Sequence, residues 1–339
     1  MTRTAASGSG QHRLPPLRSA TRPRPGHTSA AGGPAALTRR EPQPLPARPG
    51  GGSGRVPPRP SPAPPGSGPR TEAGTPADAP CVSRHPWEWP LAAAAALVTA
   101  SVPAVSVHIL WTAPGGAALW AAALVLTGIP VGCWASSGLR HARQRAQSVR
   151  ISPTQFPAAD HAIRLLSARM GLPCAPDAYV WPVAGGQRAW APGHGRRRYI
   201  VVPGDLFETG GGVRDPDALR FVVAHQLGHI AAGHASLWLR ASTAPGRLVP
   251  LLGPSLSRAM EYTADDHAHA HCPEGVHAIR LLAGGTRLYE QVNMSEMAER
   301  ARTDRGLFLL LYNLLSSRPA NTKRMAALRD PARPGRVFF

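Results

Sequence analysis

The amino-acid sequence predicts a mainly α-helical protein with a small β-sheet, in which two membrane-length helices precede a folded domain. Three observations predict this class. Two uncharged apolar runs stand next to each other between residues 86 and 136. Helical periodicity dominates residues 151–339, and two short β-branched runs bounded by Gly and Pro interrupt it.

The first segment, residues 1–85, is built mainly from Pro, Gly, Ser, Ala and Arg, with stretches such as RVPPRPSPAPPGSGPR. Aromatic side chains are absent from it, and apolar β-branched side chains are almost absent. A chain with so little apolar surface to bury cannot offset the entropy that is lost on folding. We therefore predict a disordered tail over this segment.

The basic charge of the chain does not by itself indicate a nucleic-acid partner. The formal net charge is +19, and clustered cations neutralise phosphates. However, Lys323 is the only lysine, and the arginines lack interleaved aromatics and a nucleic-acid module. We expect solvated or lipid-facing charge instead. A tail that binds anionic lipid or nucleic acid stays open as an alternative.

Two apolar runs follow the tail, and we predict that both cross a membrane. They extend from Leu91 to Trp111 and from Gly116 to Ala135, close to the ~20 residues that a helix needs to span the hydrocarbon core. Tryptophans stand at their ends, as is typical of membrane interfaces: Trp87, Trp89, Trp111 and Trp134. The alternative is a pair of buried Ala-rich core helices. We favour spans because the runs are adjacent, uncharged and separated only by TAPGG.

The distribution of arginine predicts the orientation of these spans. The tail is arginine-rich, and GLRHARQRAQSVR follows the second run. The positive-inside rule places both flanks in the cytoplasm. The predicted location is the cell membrane, as a multi-pass protein whose tail and C-terminal domain, residues 151–339, are cytoplasmic.

The C-terminal domain carries signals for both helices and strands. DHAIRLLSARMGL has helical periodicity, and Asp215 followed by Pro216 has the pattern of a helix start. The other predicted elements are strands over Tyr179–Val183 and Arg196–Gly204 and helices over Pro254–Cys272 and Ser295–Ser317.

The helix that begins at Pro216 contains FVVAHQLGHIAAGH, a candidate metal site. His225 and His229 are four residues apart, so their side chains project from one helix face. Two imidazoles at this spacing can share one Zn²⁺. His234 lies five residues further on and is predicted to point away from this face. The four cysteines form no Cys-x-x-Cys pair, so a cysteine-ligated zinc site is not expected.

The next predicted helix places two carboxylates on one face. Glu261 and Asp265, within SRAMEYTADDHA, are again four residues apart. Glu261 could be a third metal ligand, and Asp265 could accept the free N–H of a ligating histidine. The alternative is a solvated acidic face paired with Arg258. The histidines that follow have no assigned role and are expected to be solvated or satisfied in the core: His267, His269 and His271.

These features together resemble a known family. Two spans, a strand, His-x-x-x-His, Glu-x-x-x-Asp and then SSRPANTKRM occur in the order seen in the membrane zinc metalloproteases that include HtpX and the CAAX prenyl proteases. The resemblance covers residues from Ile151 to Arg329. It is carried by AHQLGHIAAGH, SRAMEYTAD and SSRPANTKRM, the last of which resembles a Ser-x-His-Pro…Arg-Ile signature.

The resemblance implies a zincin-like metallopeptidase domain that cleaves membrane-associated or misfolded polypeptides by metal-activated water. The implied zinc ligands are His225, His229 and Glu261. Asp265 would orient a ligand, and Arg324 would contact the oxyanion or the substrate. An edge strand within Tyr199–Val202 would align the polypeptide by strand addition.

The chain departs from the family pattern at Gln226, Arg318 and Gln187. Arg318 replaces a histidine of the terminal signature, and Gln187 replaces an asparagine of the edge-strand motif. Gln226 stands where a glutamate would take a proton from the attacking water and deliver it to the leaving amine. A glutamine amide is not basic enough for this transfer. General acid–base catalysis contributes about 10²–10⁴-fold, so the loss in rate should be several orders of magnitude.

Two functions are compatible with this sequence. The first is a membrane-anchored, zinc-dependent metalloendopeptidase of the HtpX type, weakened by Gln226. The second is a pseudoprotease that binds polypeptides or membrane-protein partners without cleaving them and uses zinc as a structural tie. The complete ligand set favours the first, and the missing general base favours the second.

Overall fold

The computed structural model describes residues 80–112, 115–181, 193–194, 197–330 and 333–338. Its elements confirm the predicted class, mainly α-helical with a small β-sheet. All but the end of the predicted tail lies outside the described residues, and so does Gln187.

Two long apolar helices contain the predicted spans. Helix α1 covers Glu88–Thr112 and helix α2 covers Gly116–Gln147. Both are long and apolar enough to cross a membrane, and little of either is buried against protein. Helix α2 continues past its predicted end because LRHARQRAQ contains no Gly or Pro to stop it, so the basic flank is part of the same helix.

The residues just before α1 pack against the C-terminal domain, which corrects the predicted limit of the tail. His85 is only 3 % exposed, and its ring stacks on Tyr262. Its backbone N–H donates to Thr263 Oγ1 at 3.0 Å. The tail prediction is wrong here because a histidine in a polar context gives no sign of partners that lie far away along the chain.

The sheet has four short strands in the order β1-β2-β4-β3. They are β1 Val149–Arg150, β2 Asp177–Trp181, β3 Gly193–His194 and β4 Arg197–Pro203. Strands β2 and β4 are parallel and confirm the two predicted strands. The stretch Tyr199–Val202 pairs with β2 on one side, whereas β3 pairs only with Arg197 and Arg198 on the other. Among the described strands, Tyr199–Val202 therefore has a partner on one side only.

The helices of the domain surround this sheet. They are α3 Pro157–Arg169, α4 Pro216–Ala231, α5 Leu237–Thr243, α6 Leu252–His271, α7 Ala278–Leu288, α8 Met294–Thr303, α9 Leu307–Leu315 and α10 Asn321–Arg329. Helices α3, α4 and α6 fall where the sequence predicts them. Helices α5, α7 and α10 are not among the predicted elements, and each has no more than eleven residues.

The predicted helix over Ser295–Ser317 is wrong in one respect, because it is two helices. The chain leaves helical geometry at Asp304, whose ψ is 118°. Helix α9 then begins after Gly306. Aspartate and glycine both disfavour helix interiors, so the run TDRG was the available signal for this break.

Helix α4 lies at the centre of the main hydrophobic core. Its buried residues pack against the sheet and against helices α3, α6 and α7. A helix that is apolar on nearly every face is a buried helix. A second cluster joins α1 to α6 through residues such as Leu91, Ala95 and Leu256. The two helices that carry the predicted site, α4 and α6, are therefore held from several sides.

Candidate metal centre

The start of helix α4 is fixed by its own sequence. Asp215 Oδ1 accepts hydrogen bonds from the backbone N–H groups of Asp217 and Ala218, each at 3.0 Å. Pro216 occupies the first helical position. This confirms the predicted N-cap. His277 Nε2 lies 2.6 Å from Asp215 Oδ2 and ties the cap to the segment that leads into α7.

Helices α4 and α6 approach each other closely at Gly228. A Cβ atom at this position would lie 2.7 Å from His267 Cβ and 3.3 Å from the backbone oxygen of Ala264. Neither atom can move away unless α6 shifts, so a residue without a Cβ atom permits this helix spacing. The close approach brings side chains of α4 within reach of those of α6.

The three predicted metal ligands lie together. His225 Nε2 is 3.7 Å from Glu261 Oε2, and His229 Nε2 is 3.7 Å from Glu261 Oε1. One ligand atom from each residue lies within 4.8 Å of the other two. In the described part of the chain, no other His, Cys, Asp and Glu residues form such a group.

Asp265 stands behind His225. Its Oδ1 lies 2.8 Å from His225 Nδ1. Arg324 Nε donates to Asp265 Oδ2 at 2.7 Å, and Arg324 Nη2 donates to Oδ1. All three side chains are buried. The buried carboxylate is thus neutralised by a bidentate guanidinium.

These contacts set the protonation states of the ligands. Burial lowers the pKa of His225, and the charges of His229 and Arg324 lower it further. The hydrogen bond and the charge of Asp265 raise it by less. Burial alone would raise the pKa of Glu261, but the two histidines hold it well below its usual value. At neutral pH His225 is a neutral imidazole and Glu261 is a carboxylate. These are the forms that bind a metal ion.

The alternative, a solvated acidic face formed by Glu261 and Asp265 and paired with Arg258, does not agree with the structure. The side chains of Glu261 and Asp265 are only 14 % and 2 % exposed. Arg258, their expected partner, donates instead to the backbone oxygens of Val337 and Ser316, at 2.8 and 2.5 Å. It therefore holds the C-terminal segment and leaves both carboxylates to the site.

His234 belongs to the site, which corrects the sequence prediction. Helix α4 ends at Ala231, and Gly233 adopts a φ of 74°. The N–H of His234 then bonds to the backbone oxygen of His229 at 2.9 Å, as in a Schellman turn. The prediction extended the helix past its end. The turn instead reverses the chain and returns the ring of His234 to His229.

A series of polar contacts runs from His229 to the start of α1. His229 Nδ1 and His234 Nδ1 are 2.8 Å apart, and His234 Nε2 lies 3.1 Å from Glu88 Oε1. Thr263 Oγ1 donates to Glu88 Oε2 at 2.6 Å, and Arg84 donates to Oε1. No pattern in the sequence points to Glu88, which stands in a Trp-rich flank and reaches His234 only through the fold.

This series fixes the tautomer of His229. A carboxylate only accepts hydrogen bonds, so Nε2–H of His234 donates to Glu88. Nδ1 of His234 is then a lone pair, which accepts the Nδ1–H of His229. The Nε2 lone pair of His229 is left facing Glu261, as a metal ligand requires. Burial lowers the pKa of His234 to about 4 against the effect of Glu88, so this ring is neutral at neutral pH.

The donor set fits zinc. Two imidazole nitrogens and one carboxylate match the three protein ligands of a catalytic zinc site. Each imidazole is also oriented through its other nitrogen, His225 by Asp265 and His229 by His234. Such partners are the usual companions of histidine ligands, because they fix the ring orientation and raise ligand basicity.

Gln226 is buried next to the ligands and faces a small cavity. It is 0 % exposed, and neither atom of its amide has a hydrogen-bond partner among the described residues. The cavity measures about 20 Å³ and is also lined by His225, Glu261 and Arg318. That volume holds about one water molecule. Apart from Glu261, no carboxylate is among the described residues that line it.

The two arginines of SSRPANTKRM both line this cavity and differ in exposure. The predicted role of Arg324 is contact with the oxyanion or the substrate; in the structure its guanidinium also pairs with Asp265, because a buried carboxylate needs a counter-charge. Arg318 was noted only as a departure from the family pattern. Its Nε lies 3.9 Å from Glu261 Oε1, and its side chain is 26 % exposed. Arg318 is therefore the more accessible cation beside the cavity.

The histidines that follow Asp266 do not join the ligand group. His267 and His271 are stacked, with ring centroids 6.5 Å apart and planes nearly parallel. Neither these two nor His269 is part of the group that could hold a metal or of the cavity lining beside Gln226. A substitute for the missing general base is not found among them.

The comparison with known families agrees with this geometry. Residues 154–245 match the model of peptidase family M48. The match includes His225, Gln226 and His229 and ends before Glu261. No curated protein and no solved structure matches the chain. The family match confirms the predicted resemblance of this stretch to peptidase family M48, the family of HtpX and the CAAX proteases.

Proposed function

We propose that this protein is a membrane-anchored, zinc-dependent metalloendopeptidase-like protein that acts on polypeptides, and that Gln226 makes its activity weak. The observation that carries the proposal is the ligand cluster. Two Nε2 atoms converge on one carboxylate, and each imidazole is held from behind by a different buried partner. Support of this kind on both rings is typical of metal ligands.

The residues around the cluster have separable roles. His225, His229 and Glu261 would hold a zinc ion, which would supply Lewis-acid polarisation of a peptide carbonyl and lower the pKa of a bound water. Gln226 can orient a water through Oε1, but its amide cannot take up the proton. Arg318 places positive charge beside the same cavity, where an oxyanion would form.

Exposed apolar surface on α1 and α2 supports membrane anchoring. Several of their large side chains are mostly exposed in this structure: Leu97, Trp111, Trp120 and Leu124. Two adjacent helices with so much apolar surface are unfavourable in water and suited to lipid. The arginines before α1 and at the end of α2 favour a cytoplasmic metal centre.

Strand β4 supports polypeptide as the substrate class. Tyr199–Val202 has β2 on one side and no described strand on the other. Backbone groups along an open strand edge can align an extended polypeptide by strand addition. The zincin-like fold that the family resemblance implies is part of the same proposal.

The test is cleavage of an unfolded protein by the full chain, purified in detergent from zinc-containing medium. We expect about one zinc per chain and slow cleavage that a chelator abolishes and added zinc restores. Glu261→Gln should lose both metal and cleavage. The matched control, Asp266→Asn on the same helix, should retain both. A purified protein without stoichiometric metal would overturn the proposal.

A second candidate is a pseudoprotease that binds polypeptides without cleaving them. The specific observation in its favour is Gln226, buried in the position of the general base beside an otherwise complete ligand set. Zinc would then act as a tie between α4 and α6. Saturable binding of an unfolded polypeptide with no product at long times would favour this candidate. Chelator-sensitive product from the wild type would exclude it.

A further inference from the structure

A groove of about 620 Å³ lies between α1, α2 and α5, and none of the predicted metal ligands is among its lining residues. One end is lined by side chains from the middle of α1 and α2, which we call the apolar end: Val102, Pro103, Val125 and Leu126. The other end is lined by three arginines, which we call the basic end: Arg140, Arg240 and Arg247. No acidic side chain is among the described residues of the lining.

The basic end combines burial with repulsion between like charges. Arg247 donates from Nε to Thr243 Oγ1 at 3.1 Å and from Nη2 to Met260 Sδ at 3.4 Å, both uncharged acceptors. Burial lowers the pKa of Arg247, and the charge of Arg240 lowers it further. Burial and the charge of Arg140 lower the pKa of Arg240. An anion between these guanidinium groups would relieve both lost hydration and repulsion.

The basic end lies beside the part of α1 where the apolar span leaves the domain. The backbone N–H of Gly246 donates to Thr99 Oγ1 at 3.4 Å, which fixes the turn that carries Arg247 against α1. Helix α5 and this turn also expose large apolar side chains, with Trp238 at 83 % and Leu248 at 76 %. Exposed tryptophan and leucine next to two spans are typical of a membrane interface.

We propose that the groove binds an anionic phospholipid, with its phosphate at the basic end and one acyl chain along the apolar end. This inference rests on the proposed insertion of α1 and α2 into a membrane. The occupant follows from the two ends taken together. A soluble anion would leave the apolar end unfilled, and a neutral lipid would bring no net negative charge to the like charges of the basic end. Basic pockets between membrane helices on the cytoplasmic side are suited to anionic headgroups.

The test uses the full chain in a non-ionic detergent and short-chain phosphatidylglycerol as the probe, with binding followed by native mass spectrometry. We expect phosphatidylglycerol to bind at least about tenfold more tightly than phosphatidylcholine of the same chain length. Arg140→Gln should weaken phosphatidylglycerol binding about fivefold, because one arginine near a headgroup contributes about that factor. Arg145→Gln, which removes an exposed charge from the same helix outside the groove, should leave binding unchanged.

A second pair of variants tests the apolar end without changing charge. Val102→Trp places a large ring in the groove and should weaken binding of both lipids. Val105→Trp places the same ring at an exposed position of α1 and should not. Inorganic phosphate, added at concentrations well above those of the lipid, should fail to compete.

The outcomes separate this inference from the proposed anchoring. Extraction of the protein from membranes at alkaline pH would overturn both. Retention in the membrane with equal binding of the two lipids would overturn the lipid site alone. Competition by inorganic phosphate, or equal loss of binding in Arg140→Gln and Arg145→Gln, would reduce the site to general attraction of anions and would also overturn it.

Discussion

The two sides of the metal-ligand cluster are built differently. On the side behind the imidazoles, which we call the holding side, Asp265 and Arg324 support His225. His234 and Glu88 support His229 on the same side. On the cavity side, Gln226 is buried with no described partner for either atom of its amide. The predicted metal ligands therefore have dedicated support that the predicted position of the general base does not have.

This difference means that metal affinity and catalysis should respond to different substitutions. Buried ion pairs are weak evidence for stability, since the desolvation of the charges offsets much of their attraction. The holding side is better explained by ligand orientation, which both buried carboxylates serve. The cavity side, in contrast, depends on a single residue type at position 226.

The largest expected effect is on the cavity side, in Gln226→Glu. A carboxylate there can accept the proton from water, and burial raises the pKa of such a glutamate toward neutrality. The rate of chelator-sensitive cleavage should rise by about 10²–10⁴-fold, with zinc content unchanged. The rate is measured on an unfolded protein substrate.

The control for this substitution is Gln291→Glu, the same change at an exposed position, which should leave the rate at the wild-type value. An unchanged rate in Gln226→Glu, with zinc bound, would mean that the cavity side does not carry the chemistry. The contrast between the two sides would then have no catalytic meaning.

The next effect, on stability, comes from breaking the holding side at Arg324. Arg324→Ala leaves the buried charge of Asp265 without its bidentate partner, which costs about 3–5 kcal/mol. In a domain of this size the cost corresponds to a fall of roughly 6–20 °C in melting temperature. Arg324→Lys keeps the charge and should lose less. A melting temperature within a degree of wild type for Arg324→Ala would show that Asp265 is neutralised by another group.

A smaller effect is expected on metal affinity, from Glu88→Ala. Removing this carboxylate frees His234 to adopt the other tautomer, so the orientation of His229 is no longer fixed. Zinc affinity, measured by competition with a chromogenic chelator, should fall about 10–100-fold, as is usual for lost partners of histidine ligands. Glu290→Ala, at an exposed position, should keep the wild-type affinity. Equal affinities in both variants would exclude Glu88 from the holding side.

The sequence predicts those parts of the site that depend on spacing within one helix. His225 with His229, and Glu261 with Asp265, are four residues apart, and helix geometry alone places each pair on one face. The sequence could not predict contacts that depend on the whole fold. Glu88 reaches His234 only because α1 packs against α6, and Arg324 pairs with Asp265 only because α10 covers it.

Prediction of the fold from the sequence is limited in the same way, to features that follow from local patterns. The class, the two spans as helices, the strands β2 and β4 and the cap at Asp215 follow from local patterns. The errors lie where a helix ends and its periodic pattern no longer applies. His234 was misplaced because the helix ends two residues before Gly233 turns the chain, and α8 and α9 were merged across a break at Asp304.

The smallest expected effect serves as a control for the whole comparison, because it loosens α4 without touching either side of the cluster. Asp215→Ala removes the N-cap and the contact with His277, at a cost of about 1 kcal/mol in the free energy of unfolding.

The effect of this substitution should depend on pH. Burial alone would raise the pKa of Asp215, but hydrogen bonds from Ala218, His277 and Asp217 lower it. A carboxyl with a lowered pKa stabilises the fold above its unfolded pKa, and this contribution is lost as the pH falls through its folded pKa. The difference in the free energy of unfolding between wild type and variant, measured by denaturant unfolding, should therefore be largest at neutral pH and become smaller in acid. Zinc affinity should not change, and a fall as large as that of Glu88→Ala would mean that the ligands are held by the position of α4 rather than by their partners.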